Sequence, residues 1–243
     1  MNIIEKEFPE ARFGGYSDID GTVAFYGRIN SLLQPEMIVL DVGCGRGGAL
    51  LDDKVTFRRN FQNLKGKVQH VIGIDVDPIG DANPGIDEFR LLHGKLWPVA
   101  TESVDLIVSD FVLEHISEPN EYFKEVFRVL KPNGFYCART SNKFGYVGLV
   151  ARLIPEKKHK HVLGYAQKDR VEHDVFPTLF RANTISTLRK LISQHGLVGV
   201  VYGFEAEPSY LGFSPLLYKV GKIVHSVTPN RFRNGIFIFA RKP

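Results

Sequence analysis

The 243-residue sequence is short of the features that mark exported and membrane-spanning chains. It has only two cysteines. Two isolated thiols, Cys44 and Cys137, exclude a disulfide framework and suit a reducing compartment, so a cytoplasmic location is expected. No apolar run approaches the roughly 20 residues that cross a bilayer. The opening MNIIEKEFPEARF mixes acids with its few apolar residues, unlike a secretory signal. Internal repeats and low-complexity tracts are missing. So are a separate basic domain and any RNA-binding signature, which argues against nucleic acid as the partner.

What is present is enough apolar sequence, 44% of residues, for one core or one core with a cap. Charge is divided unevenly. Residues 1–138 hold 14 Lys/Arg against 21 Asp/Glu, a net of −7, and residues 139–243 hold 17 against 6, a net of +11. The second half either meets something anionic or presents a solvated basic surface.

Hydrophobic patterning alternates between strand and helix. DGTVAFYGRINSLL (20–33) sets Val23, Tyr26, Ile29 and Leu33 on one helical face, with Asp20 as N-cap. MIVLDVG is a buried strand ending at a glycine loop, and a helix is expected over about 50–64. VQHVIGID, FRLL, VDLIVSD, GFYCART, LVGVVYGFEA and GIFIFARK supply six further strands. Helices are expected over NEYFKEVFRVL and TISTLRKLISQHG, the first stopped by Pro132-Asn133-Gly134 and the second by Gly196. Such alternation predicts an α/β fold, a mostly parallel sheet covered on both faces, with ligands at the carboxyl ends of the strands. One domain is expected, its core about 20–140, 184–206 and 234–243. The long connections 141–183 and 207–233 both leave carboxyl ends, so they are expected to form a cap over the ligand edge.

The glycine loop in MIVLDVGCGRGGAL has two spellings. Gly43, Gly45 and Gly48 give the dinucleotide pattern G-x-G-x-x-G. Gly43, Gly45 and Gly47 after Asp41 give D-x-G-x-G-x-G. A carboxylate at Asp41 would oppose a pyrophosphate by roughly 4 kcal/mol at ~4 Å and an effective dielectric of about 20. The same group suits an ammonium. Asp75, at the next strand end and 32 residues past Gly43, can accept from both hydroxyls of a ribose. Glycines at the turn let backbone approach the ligand. An amino-acid-like, ribose-bearing, phosphate-free cofactor satisfies all three features, and S-adenosylmethionine is one.

VLDVGCGRGG, VIGIDVDP, VDLIVSDFVLEHI and RVLKPNGF, in that order, resemble the successive motifs of class I S-adenosylmethionine-dependent methyltransferases. The resemblance runs from about residue 20 to 140, with the last two strands completing the family's sheet. It implies a Rossmann-like seven-stranded sheet whose last strand is antiparallel, inserted between strands five and six. It further implies that Gly43, Cys44 and Gly45 line the methionine portion with Asp41 near its ammonium. Asp75 would take the ribose, Val76 would pack on adenine, and Ser109 would offer its carbonyl to the ammonium from the end of the fourth strand, with Asp110 beside it among the cofactor-binding residues. One departure stands out: HGKLWP has His93 where many members carry an acid for the adenine amino group. Trp97 stacking is the expected substitute.

For catalysis, His115 in SDFVLEHI is the candidate general base, since imidazole titrates near neutrality. Glu114 beside it reads as structural. Asn142 and Tyr146 stand where acceptors dock, with Tyr165 and Tyr210 further into the cap. His159, His161, His173 and Asp174 lie in the first insertion. His161 and His173 are candidate acceptor contacts, although EKKHKH also reads as a hydrated loop. Their spacing matches no metal-ligand pattern, and no metal is expected. SPLLYKVGKIVH reads as an amphipathic helix capped by Ser214 and Pro215. Its apolar face is expected to pack on the domain, contact of that face and Lys219 and Lys222 with a membrane surface being the alternative.

The expected activity is methylation of a small or medium polar acceptor, on oxygen before nitrogen. The two-insert cap resembles bacterial enzymes that modify glycans or their precursors. The basic half fits a phosphorylated or nucleotide-linked sugar, or a lipid-phosphate carrier. A phenol of quinone or polyketide type remains open. The rivals are a non-catalytic S-adenosylmethionine-binding subunit, a nucleic-acid methyltransferase and a nicotinamide dehydrogenase. SDFV stands where many base-amino methyltransferases carry an N/D-P-P-Y-type tetrapeptide.

Overall fold

The computed structural model describes residues 3–146, 148 and 177–243. One seven-stranded sheet organises them: β1 Ile38–Val42, β2 His70–Asp75, β3 Glu88–Leu91, β4 Val104–Asp110, β5 Leu130–Ser141, β6 Val198–Phe204 and β7 Gly235–Arg241. Their order is β3-β2-β1-β4-β5-β7-β6. The first five run parallel, and β7 pairs antiparallel with both β5 and β6. The insertion of the last strand between five and six is the arrangement the motif order implies.

Alternation along β1 shows how the sheet separates two cores. Val39 faces a layer with Phe25, Tyr26, Ile29, Leu64 and Val68. Leu40 and Val42 face the other, with Tyr122, Phe123, Val126, Leu188 and Ile192. The first layer is covered by α2 (Gly21–Leu32), and the second by α5 (Pro119–Val129) and α6 (Ile185–Gln194). A short α1 (Ile3–Glu7) precedes them. Asp20 caps α2, accepting from the backbone N–H groups of Thr22 and Val23 at 2.8 and 2.9 Å. Phe25, fully buried, replaces Val23 on the inward face.

Two elements differ from the sequence pattern. In place of one helix over 50–64 there are two, α3 (Gly48–Leu51) and α4 (Thr56–Gln62). Asp53 breaks them, its side chain accepting from Val55 N–H at 2.9 Å in a local turn that competes with the helix. Strand β5 begins at Leu130, before Pro132-Asn133-Gly134, which stops α5 but is absorbed into the strand start where the register against β4 shifts. Asn133 takes φ +68° there.

The last helix, α7 (Pro215–Val227), begins as its residues direct, with Ser214 capping and Pro215 in the first turn. Its buried side is narrow, holding Tyr218, Gly221 and His225. Tyr218 packs with Phe8 and Ala11 of the N-terminal segment.

Candidate active site

The glycine loop joins β1 to α3 at the carboxyl edge of the sheet. Gly43, Gly45 and Gly47 all have positive φ, +70°, +47° and +79°. Two of them are pinned by protein. A Cβ on Gly43 would come within 2.5 Å of Val112, and one on Gly47 within 2.5 Å of Asn83. A Cβ on Gly45 would meet nothing within 4 Å, so this glycine faces open space. The loop backbone is held from β2: Gly43 N–H donates to the Ile74 carbonyl at 2.8 Å and Gly45 N–H to Asp75 Oδ2 at 2.8 Å. Asn83 donates to the carbonyls of Cys44 and Gly45.

Three carboxylates converge there. Asp75 ends β2 and accepts backbone N–H groups from Gly45 and Asp77. Asp110 ends β4 and is gripped by Arg139, with Nε at 2.5 Å and Nη2 at 2.8 Å, while Tyr26 Oη donates at 3.1 Å. Arg139 is itself buried, its guanidinium 5.2 Å from the Phe25 ring centre and 5.0 Å from that of Phe111. The Asp41 carboxylate meets no cation among the described residues. Burial, then Asp110, then Asp75 push its pKa up to about 7. The edge therefore has more negative charge than the chain neutralises. The Cys44 thiol, raised by burial and by Asp41 and Asp75, stays protonated.

His115 lies in a 3₁₀ turn, Leu113–His115, just past β4. Its Nδ1 is 2.8 Å from the Pro177 carbonyl. A carbonyl only accepts, so Nδ1 carries a proton and Nε2 is the basic nitrogen of the neutral ring. Glu114 is 4% exposed and holds the turn in place. Its carboxylate accepts from Thr140 Oγ1 at 2.8 Å and Ser141 Oγ at 3.2 Å, and its carbonyl from Leu179 N–H at 2.7 Å. Burial is the main cause of its raised pKa.

Val76 is 61% exposed beside Asp75, an apolar side chain left open at the strand end. Trp97 is in a different position from the one its sequence suggests. It is buried, edge-on to Tyr122 with centroids 5.3 Å apart, and its backbone N–H donates to the Glu125 carboxylate. Its exposed neighbour is Leu96. Ser109 is fully buried and its hydroxyl accepts from Tyr122 Oη at 2.9 Å. Asn142, expected to meet an acceptor, spends its amide on structure. Its NH₂ donates to the Arg231 and Arg233 carbonyls at 2.9 and 2.7 Å, and its oxygen accepts from Phe144 N–H.

Tyr146 packs against His225, centroids 5.5 Å apart, and burial pushes its pKa up to about 12. His159, His161, Tyr165, His173 and Asp174 lie outside the described residues. A cleft lined by Ile38, His70, Glu88 and Arg90 lies toward the amino ends of β1 and β2, away from the carboxylates.

Sequence reading missed Arg139, Tyr26 and a buried pair, Glu205 and His225. Asp110 and Arg139 are register partners on adjacent strands, so a charge at each strand end was the available signal. Glu205 follows the apolar β6 directly, and His225 Nδ1 lies 2.9 Å from the Ala206 carbonyl and 3.5 Å from Glu205. Only the fold brings that pair together.

Residues 40–138 match the family of methyltransferase domains. Over this segment the chain is similar to S-adenosylmethionine-dependent methyltransferases. A Mycolicibacterium smegmatis protein described as a probable S-adenosylmethionine-dependent methyltransferase is 34% identical over 116 residues, 44% of this chain and 39% of the relative. A ubiquinone biosynthesis O-methyltransferase of Parvibaculum lavamentivorans is 26% identical over 124 residues, 50% of this chain and 48% of the relative. The chain thus spans well under two thirds of the length of these relatives. Among solved structures, a Haloferax volcanii protein in complex with the Trm112 methyltransferase activator superposes with TM-score 0.57 at 16% identity, covering 96% and 93% of the two chains. Geranyl diphosphate C-methyltransferase from Streptomyces coelicolor, solved with S-adenosyl-L-homocysteine, gives 0.54 at 14%, covering 91% and 78%.

S-adenosylmethionine, the cofactor in the description of the Mycolicibacterium smegmatis relative, suits the residues present. Asp41 has an uncompensated carboxylate, Gly45 opens onto space, and Val76 offers an apolar face next to Asp75. No phosphate-binding cation stands in the loop, where Arg46 is paired with Asp52.

Proposed function

We propose that this protein transfers a methyl group from S-adenosylmethionine to a hydroxyl of a small or medium polar acceptor. A sugar, a glycan precursor or a phosphate-bearing metabolite is the acceptor class favoured here. The bound cofactor supplies a methyl group already activated by a positive sulfur. The chain's residues do the rest. Asp41 and the Gly43–Gly45 backbone hold the amino-acid end, Asp75 the ribose, and Val76 the base. In-line transfer requires the acceptor oxygen to be held against the methyl with water excluded. The proton of that hydroxyl passes to His115 Nε2.

The observation that carries this reading is the His115 ring, fixed through Nδ1 by the Pro177 carbonyl within the turn after β4. A base oriented by a third group is the arrangement that activates a hydroxyl. An amine acceptor would need no such base.

A phenolic quinone precursor is a second reading, favoured by likeness to ubiquinone biosynthesis O-methyltransferases. Methyl-labelled cofactor and fractionated cell extract separate the two readings: label enters a glycan or sugar-phosphate fraction in the first case and an organic-soluble phenol in the second. Label in neither fraction would exclude both acceptors. With the acceptor known, His115→Ala is expected to lower kcat at least about tenfold, leave cofactor Kd within about twofold and flatten the pH profile of kcat. Equal turnover from pH 6 to 9 in variant and parent would remove His115 as the base.

A further inference from the structure

Helix α7 packs on the domain by its polar and small side, not by its apolar one. Tyr218, Gly221 and His225 face inward. A Cβ on Gly221 would come within 2.6 Å of Leu211, which shows how closely that side is seated. The apolar residues point outward. Leu216, Val220, Ile223 and Val227 are 71%, 50%, 66% and 73% exposed. Spacings of four, three and four residues set them in one stripe, widened by Leu217 and Val224. Phe213, just ahead of the helix, continues the stripe in an exposed position. Scattered apolar side chains need no explanation, but a contiguous stripe of this length marks a contact surface.

The surrounding charge indicates what covers it. Residues 208–243 contain no Asp or Glu and six Lys/Arg. Lys219 flanks the stripe with its side chain 62% exposed, and Arg231 lies over the half-exposed ring of Phe232 at 4.5 Å. Glu7 is the acid near this face, 3.8 Å from both Lys219 and Lys222. A second copy of the chain would bring the same cations against themselves. An anionic surface would accept the cations and the apolar stripe together. No helix among the described residues is long and apolar enough to cross a membrane, so α7 could only lie along one.

We propose that α7 and Phe213 form a docking face for an anionic lipid bilayer. Leu216, Val220, Ile223 and Val227 enter the boundary between headgroups and acyl chains. Lys219 and Arg231 extend along the rim to the headgroup phosphates. The helix lies in the plane of the surface, next to the connection that leaves β6 at the cofactor edge. Docking is a property of this surface alone and needs neither cofactor nor turnover, so its failure and the failure of the proposed reaction are read separately.

Flotation of the full chain with vesicles tests this. Phosphatidylcholine vesicles are compared with vesicles of phosphatidylcholine and phosphatidylglycerol. The chain is expected to float with the anionic vesicles, much less with the neutral ones, and less as salt rises. Ile223→Asp and Leu216→Asp are expected to reduce the bound fraction about tenfold with unchanged Tm, since both side chains are exposed. Lys219→Gln is expected to weaken binding several-fold. Three results would overturn the proposal: no flotation with anionic vesicles, equal flotation of Ile223→Asp, or a parent dimer in sedimentation that Ile223→Asp dissociates without any vesicle binding. The last would assign the face to a second copy.

Discussion

Asp41 shares its corner of the sheet with Asp75 and Asp110, and of the three Asp110 has a guanidinium of its own. The pKa of Asp41 consequently rises to about 7. A cationic ligand beside it favours the carboxylate and lowers that pKa, so binding below about pH 7 must release a proton. S-adenosylmethionine affinity is therefore expected to fall as pH drops from about 8 to about 6, approaching tenfold per unit at the acid end, with proton release measurable by calorimetry in two buffers. Asp41→Asn is expected to bind more weakly at pH 8 and to lose most of this dependence. Stability runs the other way. The folded pKa lies above the ordinary 3.8, so Asp41's contribution is full below that value and lost as pH rises through about 7. Thermal stabilisation by the cofactor should accordingly be larger at pH 8 than at pH 6. An affinity and a Tm shift that do not change with pH would contradict this account of Asp41.

The site depends on how neighbouring elements are tied together. Arg139 on β5 links β4 through Asp110 and α2 through Thr22, and it lies against the Phe25, Tyr26 and Phe111 rings. Arg139→Met leaves Asp110 without its cation and is expected to cost about 3 kcal/mol or more in urea unfolding. Adding Asp110→Asn should recover part of that loss. A single variant as stable as the parent would mean that water already serves Asp110.

At this scale the limits of sequence reading are physical. Strands β1, β2 and β4 were legible because apolar runs end abruptly in Asp or Gly, and the capped starts of α2 and α7 because Asp20 and Ser214 do local work. The break between α3 and α4 was not, because a single Asx turn at Asp53 decides it. Asn142 was misread because a loop asparagine offers the same groups to a ligand and to the Arg231 and Arg233 carbonyls. Trp97 was misread because its motif position says nothing of which way the ring turns, and Tyr122 supplies an apolar partner for it. The Glu205–His225 pair is formed by residues 20 apart, and its proximity depends on the seating of α7.

Across the whole molecule, the sheet provides one edge with excess negative charge for a cationic cofactor, while residues 208–243 are entirely free of acids. The division of charge seen in the sequence thus corresponds to two regions, the acidic strand ends and the acid-free stretch 208–243, for which we propose cofactor capture and membrane contact respectively. Everything functional rests on the first. The direct test is calorimetric titration of the intact chain with S-adenosylmethionine and, separately, with NAD, for the parent and for Asp75→Ala. The expected result is binding of S-adenosylmethionine alone, weakened at least about tenfold in Asp75→Ala. Binding of NAD with no heat from S-adenosylmethionine, or an unchanged Kd in Asp75→Ala, would contradict the account.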